Sequence, residues 1–158
     1  MAVDPFARRP WTRLASRVET VLAEFGATLV DLDVRQGRYT LIRIALDHPR
    51  GVDLVLCTRV TRRLQAAIPW DEIFPGDWRL EVSSPGVERI LRSVREFQWA
   101  RGRPVRVWVR TDRGPRVVEG RLHDFTPESL VIQTADGYET FVWTQVHKVR
   151  LAEPVETP

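Results

Sequence analysis

The stretch LVDLDVRQGRYTLIRIAL, residues 29–46, alternates apolar and polar side chains on both sides of Gly37. A period of two belongs to strands with one face on a core, so this segment specifies two antiparallel strands and the turn between them. Val30, Leu32 and Val34 point one way, with Asp31, Asp33 and Arg35 opposite. After the turn Ile42, Ile44 and Leu46 take the apolar face, leaving Arg43 outward. Opposed residues of an antiparallel pair share a face, so even positions must meet even positions. A three-residue loop, Gln36-Gly37-Arg38, meets this condition and sets Asp31 opposite Arg43, whereas a two-residue loop opposes core to solvent positions.

A hairpin with one apolar face needs a cover, and its flanks supply one. WTRLASRVETVLAEFG (11–26) places Leu14, Val18, Val21, Leu22 and Phe25 at helical spacing, with Gly26 as its stop. Asp53 suits the N-cap of a second helix over 54–68, closed by Pro69. Its apolar stripe is Cys57, Val60, Leu64 and Ile68, and Arg59, Arg62 and Arg63 lie off it. After a Trp/Pro/Gly loop, WRLEV reads as a third strand with Trp78, Leu80 and Val82 inward. The order helix, strand, strand, helix, strand predicts an α+β fold: an N-terminal two-layer α/β domain, its helices on one face of a small antiparallel sheet.

The texture changes after Gly86. A helix over 88–99 leads into PVRVWVR, RVVEGRLHDF, SLVIQT, YETFVW and HKVRL, separated by DRGP, TPE and ADG turn signals. Five short strands at that spacing predict a small β-barrel. With 158 residues the chain has room for two small domains, divided as 1–86 and 87–158, and the closing AEPVETP is expected to be loose.

EVSSPGVERIL (81–91) sits at that division, where a nucleophile, a phosphate cradle or a joint would each be at home. A hydrolase elbow requires Gly-x-Ser-x-Gly and a phosphate loop requires Gly-Lys-Ser/Thr, and neither is present. Pro85-Gly86 suits the centre of a type II turn, and Ser84, held extended by the following proline, can satisfy a helix-start N–H. Ser83, Ser84, Pro85 and Gly86 therefore read as an interdomain joint. His48, His123 and His147 are widely spaced, without metal-ligand periodicity. Asp31, Asp33 and Asp47 would suit a hard cation, but Arg43 supplies a counter-charge among them and favours an ion-pair ladder. Cys57, the only cysteine, excludes an internal disulfide, fits a reducing cytoplasm and lies in an apolar stripe as an inert thiol. No apolar run reaches bilayer length, and MAVDPFARRPW lacks the features of a secretory signal. Hence no catalytic residue, metal, cofactor, membrane or small-molecule substrate is expected.

Charge is more informative. Between Glu88 and Arg121 ten arginines face four acids, whereas residues 122–158 carry two bases and six acids. One basic stretch in a balanced chain suggests a polyanionic partner. Within RVWVR, inward Val105, Val107 and Val109 leave Arg106, Trp108 and Arg110 on the other face. A tryptophan between arginines makes a platform for an unstacked base flanked by phosphates. The competing reading has Trp108 covering the barrel end or packing on the other domain. Arg89, Arg92 and Arg95, spaced by three, extend the same surface or form a solvated helix face.

LEVSSPGVERIL resembles the junction motif of the RimP family of bacterial ribosome maturation factors, Ser-Ser-Pro-Gly-Leu-Asp-Arg-Pro-Leu. GVDLVLCTRVTRRL and WTQVHKVRL are also similar to that family, in the same order along the chain. Glu88, Ile90 and Val149 depart from its usual Asp, Pro and Ala, and Val55 and Leu56 stand where acids are common. The resemblance implies an SH3-like (Sm-like) barrel after the α/β domain, and a cytoplasmic protein that binds the free small (30S) ribosomal subunit. It further implies contact with ribosomal RNA and small-subunit ribosomal protein twelve during late maturation, without catalysis. The alternative is a generic Sm-like RNA-binding module. No coiled-coil seam argues for a dimer, so a monomer is expected.

Overall fold

The computed structural model describes residues 2–7 and 10–152. They form two compact units, one of residues 10–85 and one in which residues 2–7 join 86–152. The chain thus passes from one unit to the other between Pro85 and Gly86, and Gly86 takes a left-handed φ of +79°. The expected loose tail lies, apart from Ala152, outside the described residues.

In the first unit, α1 (Thr12–Ala23) buries Leu14, Val18, Val21 and Leu22. Gly26, at φ +70°, turns the chain, and Ala27 N–H closes the helix end on the Leu22 carbonyl at 3.1 Å. β1 (Thr28–Gln36) and β2 (Thr40–Asp47) pair antiparallel. Their register differs from the expected one by two residues: Gln36 meets Thr40, and Asp33, not Asp31, lies opposite Arg43. An even slip leaves every side chain on its face, so the hydrophobic pattern could not distinguish the two registers. A β-bulge between Leu29 and Asp31 lets Leu29 and Val30 both be buried.

α2 (Leu54–Ala67) is capped by Asp53, whose Oδ1 accepts from Leu56 N–H at 2.8 Å. It buries Val60 and Leu64. The loop that follows contains a single helical turn, α3 (Trp70–Ile73), with Trp70 buried and its Nε1 donating to the Leu64 carbonyl at 2.9 Å. β3 (Trp78–Ser83) pairs with β2 in parallel, giving the order β1-β2-β3 in a mixed sheet, not the antiparallel sheet expected. The cause is the connection: β2 and β3 are linked through α2, and a helical crossover returns the chain to the same end of the sheet.

In the second unit the helix is shorter than expected. α4 covers only Val94–Ala100 and opens with a capping box of Ser93 and Glu96. Residues 89–91 are extended instead and lie along the last strand: Leu91 N–H donates to the Val149 carbonyl at 2.8 Å and Leu151 N–H to the Arg89 carbonyl at 2.7 Å. Five strands follow, β4 (Pro104–Thr111), β5 (Gly114–Phe125), β6 (Ser129–Thr134), β7 (Gly137–Val142) and β8 (Val146–Leu151). They form an antiparallel sheet in the order β7-β6-β5-β4-β8. Among the described residues the sheet does not close: β7 and β8 are its two edges, separated by the 3₁₀ turn Trp143–Gln145. Phe97 of α4, fully buried, packs edge-on to Trp143 at 5.2 Å in the core of this unit.

Candidate nucleic-acid interface

β4 alternates as its sequence dictates. Val105, Val107 and Val109 are at most 2 % exposed, so Arg106, Trp108 and Arg110 lie on the other face of the sheet. Pairing brings neighbours to them from distant sequence: Lys148 of β8 stands opposite Trp108, Arg150 opposite Arg106, and Glu119 of β5 opposite Arg106 on the other side. Lys148 Nζ lies 4.1 Å from the Trp108 ring centroid and the Arg150 guanidinium carbon 5.3 Å from it. Each is a cation–π contact. Half-buried Trp108 is thus the hub of a cationic column on β4 and β8, while Arg110 is exposed and makes no ion pair among the described residues.

Much of the remaining basic stretch is neutralised internally. Arg101 binds Asp124 at 2.8 Å and Arg116 binds Glu139 at 3.0 Å, so acids from the downstream segment fold back onto the arginines. Arg106 pairs with Glu119. Arg103 lies over Trp99 at 4.3 Å, and Arg121 Nη1 donates to the Gly102 carbonyl at 2.8 Å. Lys148, Arg150 and Arg110 thus add positive charge without an ion pair among the described residues to the outer face of β4 and β8.

The other predicted positions separate. Arg89, Arg92 and Arg95 do not share a helix face, because only Arg95 lies in α4. Arg89 is bound to the buried carboxylate of Glu96, Arg92 is exposed, and burial pulls the pKa of Arg95 below its ordinary value. Ser83 ends β3 and, like Ser84, is exposed. The helix-start N–H expected to find Ser84 is satisfied by Ser93. Lys148 and Arg150 escaped the sequence reading although HKVRL shows their alternation, because only the β4–β8 pairing places them beside Trp108.

His48 is tied into a turn, with Nδ1 accepting from Arg50 N–H at 3.1 Å and Nε2 therefore donating to the Phe25 carbonyl at 2.9 Å. His123 packs on Tyr138 at 4.6 Å. Among the described residues no three His, Cys, Asp or Glu side chains converge as metal ligands, and no helix is long and apolar enough to cross a membrane. Residues 17–88, from within α1 to just past Gly86, match the family model described as the RimP N-terminal domain. That match, with β1, β2, α2 and β3 all inside it, makes the first unit similar to the N-terminal domain of the RimP family and supports that family for this chain.

Proposed function

We propose that this protein is a non-catalytic assembly factor that binds the free small ribosomal subunit in the cytoplasm and assists its late maturation. Ribosomal RNA meets the outer face of β4 and β8, through Arg106, Trp108, Arg110, Lys148 and Arg150. Small-subunit ribosomal protein twelve is the protein partner that the family likeness indicates, and the strand-rich unit corresponds to the family's SH3-like domain. The two units, joined through Ser83, Ser84, Pro85 and Gly86, would together grip one conformation of an unfinished subunit better than another. Binding shifts such an equilibrium only by that difference in affinity.

The observation that carries this reading is the Lys148–Trp108–Arg150 contact, which concentrates positive charge around an aromatic ring on an open sheet face. Sedimentation of cell extract tests it: the protein is expected to travel with free small subunits and to be scarce on assembled ribosomes. Even distribution along the gradient, or confinement to its top, would reject the assembly role.

A further inference from the structure

An open cleft of about 560 Å³ lies at one end of the same sheet face, lined by Glu88, Pro104, Arg106, Glu119, Arg121 and Arg150 among others. Arg106 and Arg150 stand directly opposite each other across β4 and β8. Like charges in that relation repel, so the pair calls for a negative group between or beside them. Glu119 meets the need of Arg106 alone, and Arg150 makes no ion pair among the described residues. Moreover, the Nε atoms of both arginines are buried without a hydrogen-bond partner among the described residues. Buried N–H groups of this kind are seldom left unpaired, and both arginines line one cleft.

We propose that this cleft is a phosphate pocket, formed by Arg106, Arg121 and Arg150, in which the Glu119 carboxylate holds the anion position until a phosphate displaces it. The proposal rests on the RNA-binding reading above and specifies which part of the RNA is taken here: the backbone, not a base. A phosphate offers several acceptor oxygens to guanidinium forks, which one carboxylate on one arginine does not. The Glu119 side chain is 64 % exposed, so it can swing into solvent without breaking a packed contact. Arg121 is steadied by its bond to the Gly102 carbonyl and keeps further donors. Three guanidiniums against Glu88 and Glu119 keep the cleft cationic, which selects an anion.

The test follows the arginine Nε–H resonances of the full chain by ¹⁵N-correlated NMR during titration with inorganic phosphate or with a single-stranded RNA dodecamer. Both ligands are expected to move the Arg106 and Arg150 signals. Glu119→Gln should tighten both by roughly twofold to fivefold, the scale of one exposed charge contact, and Arg150→Gln should weaken both by a similar factor. RNA that binds while these Nε signals stay still, or a Glu119→Gln chain with unchanged affinities, would overturn the pocket and leave the RNA-binding reading intact. Phosphate that moves the signals while RNA fails to bind would keep the pocket, assign it to free phosphate and remove the RNA reading. The wild-type titrations decide between these outcomes even if a variant does not fold.

Discussion

Arg89 Nε donates to Glu96 Oε2 at 2.7 Å, and the carboxylate it meets is only 2 % exposed. The other oxygen, Oε1, accepts from the backbone N–H of Arg92 and Ser93 and from the Ser93 hydroxyl. One glutamate therefore fixes the extended segment 89–91, the cap of α4 and the charge of Arg89 together. Removing it takes a buried carboxylate from a guanidinium and from three donors, so Glu96→Ala should cost about 3–5 kcal/mol of unfolding free energy, as for a broken buried ion pair. Arg89→Ala should destabilise as well, and the double variant should lose less than the two single losses combined. Urea unfolding of the four chains measures this. Strict additivity would mean that the pair is not coupled.

Gly120 is constrained by space, not by φ. A Cβ there would collide with the Gln133 carbonyl oxygen and come within 2.8 Å of Ile132 Cγ2, because β5 and β6 approach closely at this point. Backbone cannot rotate away as a long side chain can. Gly120→Ala should therefore cost about 1–3 kcal/mol, the range for overpacking, visible as a lowered thermal midpoint. Gly86→Ala meets open space and only the strain of a positive φ, so its loss should be smaller.

How much of this was legible beforehand depended on how local each signal was. α1, α2 and all eight strands follow from hydrophobic period and turn residues that lie within each segment. The β1–β2 register was misplaced by two because the hydrophobic pattern is blind to an even slip. The parallel β2–β3 pairing was legible in principle, since a helix between two strands of one sheet favours a crossover. Helical periodicity alone starts α4 six residues early, whereas the Ser-x-x-Glu signal of Ser93 and Glu96, which form a capping box, marks its true start. Arg106, Trp108 and Arg110 came from strand parity, whereas Lys148, Arg150 and Glu119 depend on which strands become neighbours.

Asp53 has two separable effects on α2. Its carboxylate caps the helix, and burial first and the Asp53 charge second raise the Cys57 thiol above its ordinary 9.0. Asp53→Asn keeps the cap but removes the charge, so native-state alkylation of Cys57 by iodoacetamide should accelerate at fixed pH while stability barely changes. Asp53→Ala should speed alkylation too, but at a cost of about 1 kcal/mol from the lost cap. The sign is fixed by linkage: a thiol pKa raised by folding adds stability below its unfolded value, and that gain disappears as pH rises through the folded one. Equal alkylation rates in Asp53→Asn and wild type would show that the charge does not reach the sulfur.

The cationic column around Trp108 predicts a division between charge and stacking. Each phosphate contact releases counterions, so for single-stranded RNA the slope of log affinity against log salt changes by about 0.7 per contact removed. Arg110→Ala and Lys148→Ala should each flatten the slope by roughly that amount. Trp108→Ala removes no charge, so it should lower affinity at every salt concentration while leaving the slope nearly as it was. Lys148 is the sharper test, because its ammonium lies against the ring and could serve packing instead of RNA. If Lys148→Ala lowers the melting temperature but leaves the salt slope untouched, the lysine is a lid on Trp108 and the phosphate contacts lie elsewhere. Fluorescence anisotropy of labelled RNA across a salt series, with thermal melts of the same preparations, distinguishes the two.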